Sequence, residues 1–182
     1  WENLYAHNRK IIDPIANRYF FVPNPRKIIV KNLSQNLTAQ IPLHPDHPER
    51  GFRRFEIEPK DGEAPFWISS KDAETLKQGG KVRFMELFNL QIEAIKEGQI
   101  EALFHSQSYQ EARKLGIPLI HWIPFNTGIS SAVIMPDASI VKGIAEEACA
   151  ELRSGEIVQF ERFGFVRVDS LEERLMAYFA HR

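Results

Sequence analysis

Leu90-Gln91-Ile92-Glu93-Ala94-Ile95-Lys96-Glu97-Gly98-Gln99-Ile100-Glu101-Ala102-Leu103-Phe104-His105 holds two short apolar runs around one glycine. Each run has the length of a strand. Glu97-Gly98-Gln99 between them reads as a tight turn, because glycine takes positive φ without steric cost. The same texture runs outward in both directions. Eleven prolines and ten glycines cut the 182 residues into short segments rich in β-branched and aromatic side chains. The pattern predicts strands over 18–22, 27–31, 37–43, 52–58, 65–68, 81–87, 90–96, 100–105, 118–123, 131–135, 156–160 and 163–168. It predicts only three helices. Ser69 to Leu76 starts on N-cap residues and stops at Gly79-Gly80; Ser108 to Leu115 precedes Gly116; Ile144 to Leu152 precedes Ser154-Gly155. The fold class is mainly β, as two small barrels or sandwiches, with a single large sandwich as the competing architecture.

Composition sets the outer limits. Hydrophobic residues make up 43% and charged residues 26%, the balance of a globular chain with a real core. No apolar run approaches a membrane span, and no charged-then-apolar leader is visible. The one cysteine, Cys149, rules out an internal disulfide framework, so a reducing compartment such as the cytoplasm is expected. Net charge is −1, which excludes a simple basic coat for nucleic acid. The charge is uneven, however. Residues 1–54 carry nine Lys and Arg against four Asp and Glu. That excess suits a local anion-binding surface, although a short chain can show it by chance.

Enzymatic chemistry finds little support. There is no Gly-x-Ser-x-Gly elbow, phosphate-binding glycine loop or dinucleotide fingerprint. Cys149 sits in Glu-Glu-Ala-Cys-Ala, with no cation beside it to activate a thiolate. Glu146-Glu147 and Glu172-Glu173 read as solvated faces. His44-Pro45-Asp46-His47-Pro48-Glu49-Arg50-Gly51 could supply metal ligands, but its three prolines make it a rigid loop. The reading preferred here is that it orders Arg50, Arg53 and Arg54. Basic residues also alternate with aromatics in Phe52-Arg53-Arg54-Phe55, Lys81-Val82-Arg83-Phe84 and Gln159-Phe160-Glu161-Arg162-Phe163. Arginine and glutamine suit the pairing edge of an unstacked base. Any half-buried strand alternates too, so the pattern alone leaves RNA contact and plain packing both open.

Arg9-Lys10-Ile11-Ile12-Asp13-Pro14-Ile15-Ala16-Asn17-Arg18-Tyr19-Phe20-Phe21-Val22 resembles the start of the C-terminal anticodon-binding region of archaeal glutamyl-tRNA synthetases. Three later blocks carry the same resemblance: residues 80–89, Ile120-His121-Trp122-Ile123-Pro124, and residues 158–169. The blocks are also similar to glutaminyl-tRNA synthetases, the sister group. Asp-Pro-Ile-Ala-Asn-Arg-Tyr-Phe-Phe-Val and the short ending Tyr178-Phe179-Ala180-His181-Arg182 favour the glutamyl group. A freestanding RNA-binding β-barrel module and a protein-interaction scaffold are the readings outside the synthetases.

The resemblance implies a non-catalytic piece of a class I ligase. Neither of the family's two ATP-binding signatures occurs in this chain, so ATP and Mg would belong to the catalytic domain of the same polypeptide. The partners implied are that domain and tRNA(Glu), with tRNA(Gln) left open, and no membrane. It also implies two β-barrels, one inserted in the other. The proximal barrel would take residues 1–65 plus 124–182, and the distal barrel 66–123. Gln159 and Arg162 fall where glutaminyl relatives read the middle anticodon base, with Glu161 as the orienting carboxylate between them. Arg83 falls on a basic position of the distal barrel that contacts the anticodon. An arginine before Asp-Pro in the glutaminyl group stands here as His7, for which Arg9 is the substitute. Arg9, Lys10, Arg50, Arg53 and Arg54, in the basic segment, are the expected phosphate contacts.

Overall fold

In the computed structural model, which describes residues 2–181 and side chains from residue 7 on, strands dominate. Helix α1 (Glu2–Ile12) leads into β1 (Asn17–Tyr19), β2 (Phe21–Pro23), β3 (Pro25–Lys31), β4 (Leu37–Pro42), β5 (Phe52–Ile57) and β6 (Ala64–Ser69). Then come α2 (Ser70–Ala73), β7 (Lys81–Phe84), β8 (Asn89–Lys96), β9 (Gln99–Ser106), α3 (Tyr109–Leu115), β10 (Leu119–Ile120) and β11 (Ile123–Pro124). The chain ends with β12 (Ile129–Ile134), β13 (Ile140–Ala145), β14 (Ile157–Phe160), β15 (Gly164–Leu171) and β16 (Leu175–His181). Short 3-10 turns occupy Pro48–Arg50 and Glu147–Glu151.

The chain forms two units. One holds residues up to 21, 42–53 and 127 onward; the other holds 22–41 and 54–126. The sheet of the first unit runs β1-β14-β15-β16-β12-β13-β2. Its two end strands are neighbours in sequence, separated by Phe20 alone, so the sheet closes on itself as a barrel. Phe20 is where one extended segment leaves β14 and joins β13. Its N–H lies off the ladder, and the Glu146 carboxylate accepts from it at 2.6 Å. The Glu146 N–H returns a bond to the Phe20 carbonyl at 3.1 Å. Inside, Phe21 stacks on Phe160 at 4.8 Å, with Val133, Cys149 and Val166 packed in the same core.

The second unit repeats the device. Its sheet runs β10-β7-β8-β9-β3-β6-β11. Here the end strands are separated by His121-Trp122. The Trp122 indole N–H donates to the Met85 carbonyl at 2.8 Å, and its ring stacks near Phe84 and meets Phe66 edge-on. The β8–β9 hairpin turns at Gly98, with φ +80, as the opening stretch of sequence requires. Ser69 and Ser108 cap α2 and α3 through their hydroxyls, and α3 ends on left-handed Gly116.

The mainly β class and its two barrel-like sheets match the sequence reading. Several details do not. Ile144 to Leu152 is not a helix: its start completes β13 and its remainder is a 3-10 turn that delivers Glu146 and Cys149 inward. Burial of those side chains overrides the helical preference of its alanines. The runs 18–22 and 118–123 are each two strands, broken at the seams. β13 was hidden by Gly143, and β16 by the helix-favouring Leu175-Met176-Ala177; pairing with both β15 and β12 makes β16 a strand. α1 was not foreseen. The two units also differ in extent from the barrels expected at 1–65 plus 124–182 and 66–123. β3 pairs with β6 and β9, which draws residues 22–41 and 54–65 into the second unit.

Candidate nucleic-acid interface

Gln159, Glu161 and Arg162 share the β14–β15 hairpin of the first unit. β14 lies between β1 and β15, in register Gln159 with Arg18 and Gln159 with Phe165. Register partners on parallel strands present side chains to one face. Arg18, which the sequence reading passed over, is therefore a cation beside Gln159. The hairpin tip is tight: the Phe163 N–H donates to the Phe160 carbonyl at 2.9 Å, and Arg162 sits at φ +61. A non-glycine residue held left-handed is a strained position that the surroundings must enforce. Aromatic packing enforces it. Phe163 meets Phe21 at 5.0 Å and Phe179 at 5.8 Å, both edge-on. Gly164 follows at φ +150, where a Cβ would come within 2.6 Å of the Phe179 ring and 2.7 Å of the His181 carbonyl. The tip is thus locked from below, and the Arg162 side chain stays exposed at its apex.

Beneath the tip lies a buried ionic network. Arg53, from β5, is 2% exposed. Its Nη1 donates to Glu146 and its Nη2 to Glu161, each at 2.8 Å. The guanidinium carbon stands 4.9 Å from the Phe20 ring centre and 5.9 Å from that of Tyr19. The Glu161 N–H bonds the Tyr19 carbonyl at 3.0 Å. One cation therefore holds two carboxylates, one at the barrel seam and one at the hairpin tip. Burial pushes the Glu146 carboxyl up to about 7, against the lowering pull of Arg53 and the Phe20 N–H. Burial likewise raises the Cys149 thiol and takes the Tyr19 hydroxyl up to about 12, so neither is a nucleophile at neutral pH.

Two corrections follow. Arg53, expected on phosphate, has both terminal nitrogens engaged inside the protein. Glu146, expected on a solvated face, is 1% exposed. Only its place in Ile144-Ala145-Glu146-Glu147-Ala148-Cys149, among small and apolar neighbours, hinted at this.

The other expected residues are distributed as follows. His7, Arg9 and Lys10 are exposed on α1. Arg50 donates to the Pro14 and Ile15 carbonyls at 2.5 and 3.3 Å, pinning the segment between α1 and β1. His44, in the same loop, is buried; its Nε2 contacts the Asp13 carbonyl and its Nδ1 accepts from the Asp46 N–H. Both ring nitrogens are thus used by backbone, and no group of three or more metal-ligating side chains occurs among the described residues. Arg54 belongs to the second unit, exposed and paired with Glu56 at 2.9 Å. Arg83, also in the second unit, is 5% exposed. It donates to Asn89 at 3.0 Å and to the Gln107 carbonyl at 3.3 Å, under the exposed ring of Tyr109. Burial lowers its pKa.

The comparisons with known proteins agree with one another. Residues 16–107 match the family model described as tRNA synthetases class I (E and Q), anti-codon binding domain, and residues 119–169 match a second model of the same description. The whole chain aligns with glutamate–tRNA ligases: 46% identical to that of Pyrococcus furiosus, 45% to that of Thermococcus kodakarensis and 37% to that of Methanopyrus kandleri. It spans 31% to 32% of the length of these relatives. The chain belongs to the anticodon-binding domains of the class I tRNA synthetases for glutamate and glutamine.

Proposed function

We propose that this chain is the anticodon-binding region of a cytoplasmic glutamate–tRNA ligase, and that Gln159 and Arg162 read the middle anticodon base of tRNA(Glu). The observation that carries the reading is the β14–β15 tip: an exposed arginine held left-handed on a rigid turn, three residues from an amide on the same hairpin. An unstacked uracil shows an acceptor, a donor and an acceptor on its pairing edge. Arginine supplies only donors, and glutamine supplies one of each, so the pair matches an edge that neither matches alone. Cytosine would set its amino group against the guanidinium. The mismatch costs about 1–3 kcal/mol, or roughly 5- to 150-fold. Glutamate and glutamine tRNAs share this middle base, so the same reader would serve tRNA(Gln).

The first unit would act as the proximal barrel and the second as the distal one. Arg9, Lys10 and Arg54 are the exposed cations for phosphate, with His7 on α1 as a further exposed hydrogen-bonding group; Arg18, beside Gln159, is half-buried and paired with Asp13 at 3.4 Å. Arg83 serves the RNA through residues 107–109, which it holds. With net charge −1, about three neutralised phosphates give a log–log salt slope near −2 to −3. Glutamate activation, with its ATP and Mg, would belong to the catalytic domain that this chain lacks. No glutamate-dependent pyrophosphate exchange is expected of the chain alone.

The test is aminoacylation by the full-length ligase on tRNA(Glu) carrying U or C at the middle position. Wild type should prefer U, and Arg162→Ala should lose most of that preference. An unchanged preference in the variant would remove Arg162 from the reading site.

A further inference from the structure

Arg53 holds the hairpin tip through its bond to Glu161, and it is the most buried charged group in that neighbourhood apart from its other partner, Glu146. Burying one cation and two carboxylates is unfavourable compared with apolar packing of the same volume. A plain core would hold the barrel as well. The placement of the network is therefore informative. It joins two points. Glu146 bonds the Phe20 N–H, at the break where the barrel closes. Glu161 is the residue before Arg162, at the tip.

We propose that Arg53 is a positioning residue for base reading: its two terminal nitrogens tie the Glu161 end of the hairpin tip to the barrel seam, and so fix where Arg162 and Gln159 meet the base. This rests on the reading of the hairpin given above. The chemistry requires arginine. A planar guanidinium can donate to two carboxylates along different directions while its face lies near the Phe20 ring. A lysine ammonium is a single point charge on a flexible stem and would satisfy Glu146 or Glu161 with correct geometry, not both. Glu161 is the moving partner. Its side chain is 18% exposed, whereas Glu146 is enclosed, so loosening the network frees the tip before it opens the seam. An interaction site must be held to within about half an ångström by its supporting contacts to keep its selectivity.

The experiment uses the 182-residue chain in two arms. The first needs no RNA: hydrogen exchange of the Glu161 and Phe163 amides, which report the tip through their bonds to Tyr19 and Phe160. Glu161→Ala and Arg53→Lys should raise these rates roughly tenfold. Glu161→Gln, which still accepts through its carbonyl, should restore them. The second arm measures binding to an anticodon stem-loop RNA with U or C at the middle position. Glu161→Ala should lose roughly tenfold in discrimination with Arg162 and Gln159 intact, and Glu161→Gln should regain it. Arg162→Ala should lose discrimination without faster exchange. Exchange rates in Glu161→Ala equal to wild type, with wild-type discrimination present, overturn the positioning role and leave the reader standing. Faster exchange with no discrimination in wild type overturns the reader, and the positioning role for reading with it.

Discussion

The two barrels close by the same device and fill it with different chemistry. Each sheet begins and ends on strands adjacent in sequence, separated by Phe20 in one and His121-Trp122 in the other. The second seam is filled by aromatic bulk: Trp122 plugs it among Phe55, Phe66 and Phe84, next to a buried His121. The first seam adds an ion pair to its buried aromatic: Glu146 accepts from the Phe20 N–H and Arg53 lies near the Phe20 ring. Closing a small barrel requires only a buried side chain at the break. The first barrel uses that position to carry a connection from the closure to an exposed hairpin, at a cost in stability that the second avoids.

Substitutions can break this contrast from either side. The largest effect should come from Trp122→Ala, which empties an aromatic seam that is completely buried. A loss of about 3–5 kcal/mol is expected from urea unfolding. Arg53→Met should cost about 3 kcal/mol, because it leaves Glu146 buried without its cation. The loss should shrink when Glu146→Gln is added, and a fully additive double variant would show that the two side chains are not coupled. Gly164→Ala comes next, at about 2 kcal/mol, from its left-handed φ and the Phe179 and His181 atoms that its methyl would meet.

The contrast also shows in the pH dependence. The Glu146 carboxyl is raised to about 7 in the folded chain, above its unfolded value near 4.5. The folded state therefore binds more protons than the unfolded state between those values. The favourable contribution of this group is complete below the unfolded pKa and is lost as pH rises through about 7. Relative to Glu146→Gln, wild type should weaken between pH 5 and pH 8. An identical pH slope for the two proteins would contradict the burial argument.

What could be read in the sequence follows the same division. Strand texture, the Gly98 turn and the β14–β15 hairpin were legible because local rules decide them: alternation, glycine, chain reversal. Gln159 and Arg162, proposed here to read the base, and Glu161 between them were legible through a resemblance, not through their chemistry. The seams were not legible. Nothing local to Arg18-Tyr19-Phe20-Phe21-Val22 says that one extended run serves two strands, since the break arises from closure of a ring across the whole chain. Arg53 and Arg54 look alike in Phe52-Arg53-Arg54-Phe55, and strand alternation alone sends one inward and one outward. Which one goes in depends on register, and register is set by distant partners. Glu146 escaped for the same reason: its partner, Arg53, lies 93 residues away.

The central claim is that the hairpin tip touches the middle anticodon base. Photocrosslinking tests it most directly. A tRNA(Glu) anticodon stem-loop with 4-thiouracil at the middle position is irradiated with the chain, and the modified peptide is mapped by mass spectrometry. Crosslinks within residues 157–167, suppressed by unlabelled stem-loop carrying U more strongly than by one carrying C, are the predicted result. Crosslinks confined to the second unit, with none on the β14–β15 hairpin, would contradict the account.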